Sequence, residues 1–273
     1  MREITPRSWP AFALIFIVLA YALLLLGFPF VVIIQRAFSE GIAPILETFT
    51  DPDLHHALWV TFVFGSIAVS INAVFGLITA WVLVRHRFVG RGFFDALVDI
   101  PFVFATPIAG YAVILLFGRN GWFDPPFPIV FAYPAILLVE IFVALPFVTR
   151  EIQPVLGALN PEYEEAAYTA GASRWMTFRR ILLPEIWTAL LYGVVLTFAR
   201  TIGEFGAVSV VSGSMKGYTE TSTIFVFRTL NDRNEIAAYS VSVLLCIISV
   251  GILLVMNGLK SRFSASSQQP KVA

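Results

Sequence analysis

The chain has 273 residues, of which 58% are hydrophobic, 15% aromatic and only 13% charged, and its mean hydropathy is +0.82. A soluble domain of this size carries roughly a quarter charged residues, so a water-covered globule is excluded. Disorder, a collagenous repeat and a disulfide scaffold fall with it, because apolar content is high, glycine has no period and Cys246 is the one cysteine. Eighteen basic and eighteen acidic residues cancel, which gives no basis for a nucleic-acid partner.

A bilayer core about 30 Å thick needs about 20 apolar helical residues, and runs of that length recur six times. The first, 11–35, is uncharged and too long for a signal peptide, whose apolar region is about 7–15 residues; it reads as a retained helix. The second, 57–84, carries no formal charge. The third, 97–118, contains Asp99, Pro101 and Pro107, and the fourth, 129–149, contains Pro134, Glu140 and Pro146; prolines free backbone carbonyls, so both are expected to be kinked. The fifth, 186–211, holds Arg200 and Glu204. Between it and the sixth, 236–259, the apolar stretch Ile224-Phe225-Val226-Phe227 is too short to span and is expected to dip into the interface or lie over the outer mouth. A polar tail, 264–273, is expected to be disordered.

On one side of the membrane lie Arg2, Arg7, Arg85, Arg87, Arg91, Arg150, Arg174, Arg179, Arg180, Lys260, Arg262 and Lys271, twelve in all; on the other lie five, Arg36, Arg119, Lys216, Arg228 and Arg233. The side richer in Lys and Arg is cytoplasmic. Six spans therefore predict both termini in the cytoplasm.

The loop 150–185 is too long and too patterned for a simple turn, and reads as a docking element for something soluble. Asn160 can cap a helix start, Pro161 suits the first helical position, and Glu162, Glu164 and Glu165 favour the positive helix end. Ala166, Ala167 and Ala170 give a small-residue surface, Gly171 permits a stop, and Ser173 can cap a second short helix, 174–178, that gives way near Pro184. The prediction is helix, turn, helix with an acidic and small-residue face. The bland reading, a hairpin that only connects two spans, stands beside it.

Glu165-Ala166-Ala167, then Gly171 after three residues, then Ile181-Leu182-Leu183-Pro184 after nine more, resembles the EAA loop of bacterial ABC importer permeases. The resemblance implies an all-α membrane protein of the type I importer permease fold, six transmembrane helices with cytoplasmic coupling helices seated in a groove of an ATPase. By position, Glu165, Ala166, Ala167 and Gly171 would be the main coupling contacts, while Ile181, Leu183 and Pro184 would set the return into the membrane. The segments 190–197 and 199–213 are similar to the fifth span of the sulfate/thiosulfate permeases, their W-type subunit in particular. Asp99-Ile100-Pro101-Phe102, with Ala109-Gly110 and Leu115-Leu116-Phe117-Gly118, is similar to the third span of that subunit. The similarity covers 51–263. Molybdate permeases share Gly203-Glu204-Phe205-Gly206-Ala207, whereas the continuation Val208-Ser209-Val210-Val211-Ser212-Gly213 favours sulfate. Thr219-Glu220-Thr221-Ser222-Thr223 departs from the W-type pattern, which puts the outer loop in doubt. The implied organisation is a single membrane domain over 1–273: an N-terminal tail, first helix and outer loop in 1–56, a permease core in 57–263 that includes the coupling loop, and the polar tail.

The chemistry available to these residues is limited. A G-x-x-x-x-G-K-[ST] phosphate loop is absent from the sequence, so no cofactor is expected on this chain, and ATP and Mg belong to a partner ATPase. His55, His56 and His86 have no Cys, Asp or Glu at metal-ligand spacing; no metal site is expected, and the His55-His56 pair reads as solvated loop. Arg200 and Glu204, four apart, share a helix face. Either Arg200 lines an anion path with Glu204 steadying it or forming a gate, or the two make an ion pair that locks packing. The segment Gly203 to Gly206 also reads as a close helix crossing. Asp99 is expected to reach the interface, and Glu140, deeper in its span, needs a partner or a water site. Trp9, Trp59, Trp81 and Trp122 fit interfacial anchoring.

The leading expectation is thus a permease subunit of an ATP-driven sulfate/thiosulfate importer in the bacterial inner membrane, not itself an enzyme. Its implied partners are a cytoplasmic ABC ATPase dimer, a second, T-type permease, a periplasmic sulfate/thiosulfate-binding protein and lipid. A molybdate/tungstate permease is the alternative within the family. The rival from another class is an ATP-independent secondary transporter or channel with Arg200, Glu204 and Glu140 as its relay, which six spans and no detected inverted repeat disfavour; a passive membrane anchor is the third reading.

Overall fold

In hydrocarbon a peptide group finds no partner except within its own helix or a closed barrel. The computed structural model describes residues 9–123 and 125–267, and every regular element among them is helical. Arg2, Arg7, Lys271 and the tail beyond residue 267 lie outside the described residues. The chain divides into two compact units, 1–51 with 226–244, and 52–225 with 245–273.

In the first unit, α1 (Trp9–Ala22) continues through a π-helical turn (Leu23–Gly27) into α2 (Phe28–Ala37), and α3 (Ala43–Phe49) follows. In the most apolar stretch of Ala11–Ala37 none of the described side chains is buried. The π-turn has a local cause. Pro29 has no N–H to give, and the amide before it, that of Phe28, reaches back five residues to the Leu23 carbonyl.

The second unit is organised by α4 (Pro52–Arg85) and α7 (Tyr133–Ala158), which pack on each other and on α10 (Leu183–Ile202). The buried positions of α4 run from Leu54 through Ala57, Thr61, Gly65, Ala68, Asn72, Gly76 and Ala80 to Leu83. That three-and-four spacing is one helical stripe, and the opposite face exposes Val74, Phe75 and Ile78. Val148 of α7 sits where α4 and α10 both present glycine. A β-carbon on Gly76 would come within 2.8 Å of its Cβ, and one on Gly193 within 2.9 Å of its Cα. At one end of the unit Ala80, Val148, Ile152, Leu156, Leu182, Ile186 and Ala189 form a core. A second core joins Val60, Ala109, Val113, Ile136, Val139, Ala207, Val211 and Ile224.

Three of the predicted elements are corrected. The third span is two helices, α5 (Arg91–Val103) and α6 (Thr106–Phe117), bent by 111°; Pro107 falls in the first turn of α6, where a missing N–H costs nothing. The fifth span is not continuous, because α10 ends at Ile202 and α11 (Gly206–Val211) starts afresh. The short helix expected to give way near Pro184 does not: α9 (Arg174–Thr177) passes through a second π-turn, Phe178–Leu182, into α10. There the amide before Pro184, that of Leu183, bonds the Phe178 carbonyl. The same proline device thus keeps a helix running in both places.

Four helical stretches among the described residues are long and apolar enough to cross a bilayer, Ala11–Ala37, Pro52–Arg85, Arg174–Ile202 and Glu235–Leu254, or five if the bent pair is one span. The expected fourth span, α7, is not among them. It is enclosed by α4, α5, α6, α10 and α11, so it has little lipid-facing surface and tolerates Glu140, Thr149, Arg150 and two internal prolines. The last helix, α13 (Glu235–Ser267), runs four residues into the tail expected to be disordered. His55 and His56 lie in the first turns of α4 rather than in a loop, His56 against Trp59 with its Nε2 3.4 Å from the Tyr133 hydroxyl.

Candidate functional site

The hairpin between α7 and α10 is built by local chemistry. Asn160 Oδ1 accepts the Glu162 amide at 3.1 Å, its Nδ2 donates to Glu162 Oε2 at 2.9 Å, and α8 (Glu162–Thr169) begins there with three glutamates in its first turn. At the far end Gly171 has φ +84°, its amide bonds the Tyr168 carbonyl at 3.0 Å, and that of Ala172 bonds the Ala167 carbonyl at 2.9 Å. This paired closure, with a left-handed glycine just past the helix, is the Schellman arrangement. Ser173 then caps α9 by accepting the Met176 amide at 3.2 Å.

Within α8 only Glu164 and Ala167 are even half-buried; Glu162, Glu165, Ala166 and Thr169 are exposed. Three residues apart, Glu164 and Ala167 lie on one face, so the helix leans on the molecule there and leaves Glu165 and Ala166 free. Tyr163, Tyr168, Trp175 and Met176 are also exposed, and aromatic residues of this kind anchor protein interfaces. Of the residues expected to set the return into the membrane, Ile181 and Leu183 are half-buried and Pro184 is exposed. Leu182, which sequence reasoning passed over, is 3% exposed and belongs to the core.

Two ion-pair clusters near this hairpin were not foreseen. Arg85, in the last turn of α4, pairs with Glu164 at 2.8 Å. Arg150 of α7 makes a fork on Asp99, Nε to Oδ1 at 2.7 Å and Nη2 to Oδ2 at 2.5 Å, and adds Asp95 Oδ1 at 2.7 Å. Asp99 therefore does not simply reach the interface; it clamps α5 to α7. A planar guanidinium meeting a carboxylate in parallel is the strongest form of such a bond. Charges one helix apart in space but 51 residues apart in sequence leave no local signal.

A second candidate site surrounds the break between α10 and α11. Arg200 Nη1 lies 2.6 Å from Glu204 Oε2, with the Glu204 side chain 2% exposed. The other oxygen, Oε1, accepts the Ala207 amide at 2.9 Å. One carboxylate thus pairs with the Arg200 guanidinium in α10's last turn and accepts an amide from the first turn of α11 across the gap, and a helix N-terminus favours a negative charge. The backbone carbonyl of Glu204 accepts the Thr223 hydroxyl at 2.8 Å. The two glycines here differ: a β-carbon at Gly206 would meet Thr106 and Pro107 of α6, whereas one at Gly203 has nothing nearer than 3.8 Å. The close crossing is at Gly206 alone.

Glu140 is 2% exposed and its Oε2 has no hydrogen-bond partner among the described residues. It lies within electrostatic range of Glu204. The loop segment that departs from the W-type pattern is itself buried: Thr219, Glu220, Thr221 and Ser222 are at most 3% exposed. Ser222 bonds Thr61 through both its amide and its hydroxyl, at 2.8 and 2.7 Å. Ile224 and Phe225, expected at an interface or mouth, are buried in α12 (Ser222–Asn231).

Known proteins agree with this architecture. A bacterial alginate ABC transporter, solved with its alginate-bound periplasmic protein, contains a chain that superposes with a TM-score of 0.80 at 17% identity, over 94% of this chain and 96% of that one; at that identity the likeness speaks for the fold. In sequence, the sulfate transport system permease protein CysW of Synechocystis is 43% identical over 92% of this chain and 93% of the relative. The sulfate transport system permease protein CysT of Escherichia coli is 37% identical over 90% of each. The model of the family described as binding-protein-dependent transport system inner membrane component matches residues 72–265. With multi-pass helices, the importer permease fold and this match over most of its length, the chain belongs to that family of inner-membrane permease components.

Proposed function

We propose that this chain is one of two permease subunits of an ATP-driven importer carrying sulfate or thiosulfate across the bacterial inner membrane. The observation that carries the reading is the α8–α9 hairpin, whose outer face is free while α9 runs unbroken into α10. A push on α8 passes through the closed turn at Gly171 to α9, and from α9 into a membrane helix without a further break. Family membership supports a pore fed by a binding protein, and the sulfate permeases among the relatives support the anion. A sulfate dianion crosses lipid only through a polar path, because desolvating each charge costs several kcal/mol even after relaxation.

In this reading the bent pair and α7 each make one crossing, which brings the total to six, and both termini are cytoplasmic. Glu165, Ala166 and Gly171 dock on an ATPase dimer, which binds ATP and Mg and performs the hydrolysis, while Ala167 packs behind them on the face that leans on the molecule; this chain is neither an enzyme nor a cofactor carrier. Greater likeness to CysW than to CysT supports a T-type partner permease, and a periplasmic protein delivers the anion. The test is uptake of labelled sulfate, with molybdate as competitor, in a bacterial host lacking its own sulfate importer and supplied with this chain and its partner subunits. ATP-dependent sulfate uptake is expected. Molybdate uptake alone overturns the substrate, and anion uptake without the ATPase overturns the importer.

The Arg200–Glu204 pair, in the same reading, locks the break between α10 and α11 rather than binding the anion. Both Glu204 oxygens are already engaged, and removing one partner of a covered pair strands the other charge, at about 3–5 kcal/mol. Arg200→Gln is expected to lower the amount of assembled complex several-fold, and Arg200→Gln with Glu204→Gln to restore most of it, as read by co-purification. Normal assembly of Arg200→Gln with reduced uptake would instead place Arg200 on the path.

A further inference from the structure

Arg85 joins three segments. It ends α4, its Nη2 donates to the Leu159 carbonyl just beyond α7 at 3.3 Å, and its Nε lies 2.8 Å from Glu164 Oε1 on α8. The two side chains are 13% and 12% exposed. An ion pair in open water contributes little, since solvent screens it and two long side chains lose their freedom. Covered charges hold each other more strongly and are costly to separate singly.

The placement on α8 gives the contact its direction. Glu164 stands on the face that leans on the molecule, opposite Glu165 and Ala166, so a force on the free face is delivered to Glu164 and from there to Arg85. The helix that Arg85 ends is long and packed along its length. At 34 residues and about 1.5 Å per residue it extends roughly 51 Å. Near its other end Thr61 holds Ser222 at 2.7 Å, and the adjoining Thr223 bonds the Glu204 carbonyl in the break between α10 and α11.

We infer that the Arg85–Glu164 pair is a positioning contact that passes the movement of the docking helix to α4. The hairpin then drives two membrane helices: α10 through continuous backbone, and α4 through this pair. The inference rests on the reading of α8 as the ATPase-docking helix. Spatial adjacency alone does not demonstrate coupling, and a charge reversal measures it.

The experiment uses the whole complex, with ATPase, partner permease and binding protein, in proteoliposomes where labelled-sulfate uptake and ATP hydrolysis are read together. Arg85→Gln and Glu164→Gln are each expected to lower sulfate moved per ATP hydrolysed at least fivefold, measured per amount of assembled complex. Arg85→Glu combined with Glu164→Arg is expected to restore at least half the ratio. A contact that only stabilises the fold would lower the yield of complex and leave the ratio alone. If Arg85→Gln does not assemble, Glu164→Gln, on a helix outside the membrane core, carries the test with the reversal. An unchanged ratio, or no recovery in the reversal, overturns the inference. Glu165→Arg separates the two levels. If it leaves ATP-driven uptake intact, the docking reading fails; if it abolishes uptake while the pair variants keep a normal ratio, the transmission through Arg85 fails alone.

Discussion

Gly171→Pro is expected to reduce labelled-sulfate uptake more than tenfold while the chain still inserts in the membrane in normal amount. Gly171 sits at φ +84° and its amide closes one of the two bonds that end α8. Proline fixes φ near −65° and has no amide hydrogen, so the bond is lost and the chain leaves α8 in another direction, displacing the exposed face of α8 relative to the continuous α9 and α10. Alanine isolates the backbone term. No atom lies within 4 Å of a β-carbon at this position, so Gly171→Ala meets no clash and costs only the left-handed conformation, about 1–2 kcal/mol. Uptake should rank glycine above alanine above proline, normalised to the chain present in the membrane fraction. Normal uptake by the proline variant would remove the hairpin geometry from the mechanism.

The second large effect is at Gly206, and it is one of stability. Here a β-carbon would overlap the Thr106 hydroxyl and lie 3.1 Å from Pro107 Cδ, while on the facing helix a β-carbon at Gly110 would lie 2.7 Å from the Ala207 carbonyl. Two glycines let α6 and α11 meet backbone to backbone, as small residues do where membrane helices cross closely. Overpacking of this kind costs about 1–3 kcal/mol, and for a chain of this size each kcal/mol is worth roughly 2–4 °C. Gly206→Ala should therefore lower the thermal midpoint of the purified complex by several degrees, and Thr106→Ala in the same chain should recover part of it by removing the hydroxyl. Gly203→Ala, with open space around it, should change nothing measurable. Equal losses at both glycines would contradict this packing.

The contrast between these two glycines shows what a linear reading can reach. In Gly203-Glu204-Phe205-Gly206 both glycines carry the same local pattern, and only the arrival of α6, a hundred residues earlier in the chain, distinguishes them. The hairpin was legible because its determinants are local: Asn160, Gly171 and Ser173 act on amides within five residues, and the structure reproduces each role. The π-turns before Pro29 and Pro184 were not legible, since Pro101, Pro146 and Pro154 lack the same hydrogen and stand inside helices without such a turn. Nor was the break after Ile202, because apolar content runs through it; what holds it is Glu204 facing Arg200 and the Ala207 amide while Thr223 approaches from a later loop.

Composition alone made this a helical membrane protein, because so few charges leave lipid as the solvent and lipid admits backbone only when its hydrogen bonds are satisfied within the fold. Short-range spacing likewise made the 150–185 loop a helix-turn-helix, whereas the packing decided that Glu165 and Ala166 stay exposed while Ala167 is half-buried. Which charges meet, Arg85 with Glu164 and Arg150 with Asp99, which helix is enclosed, and which glycine admits a neighbour emerged from the packing. Those outcomes depend on distances between residues 51 to 161 positions apart, and a side chain's partner across such a separation is chosen by how whole helices fit, not by its neighbours along the chain.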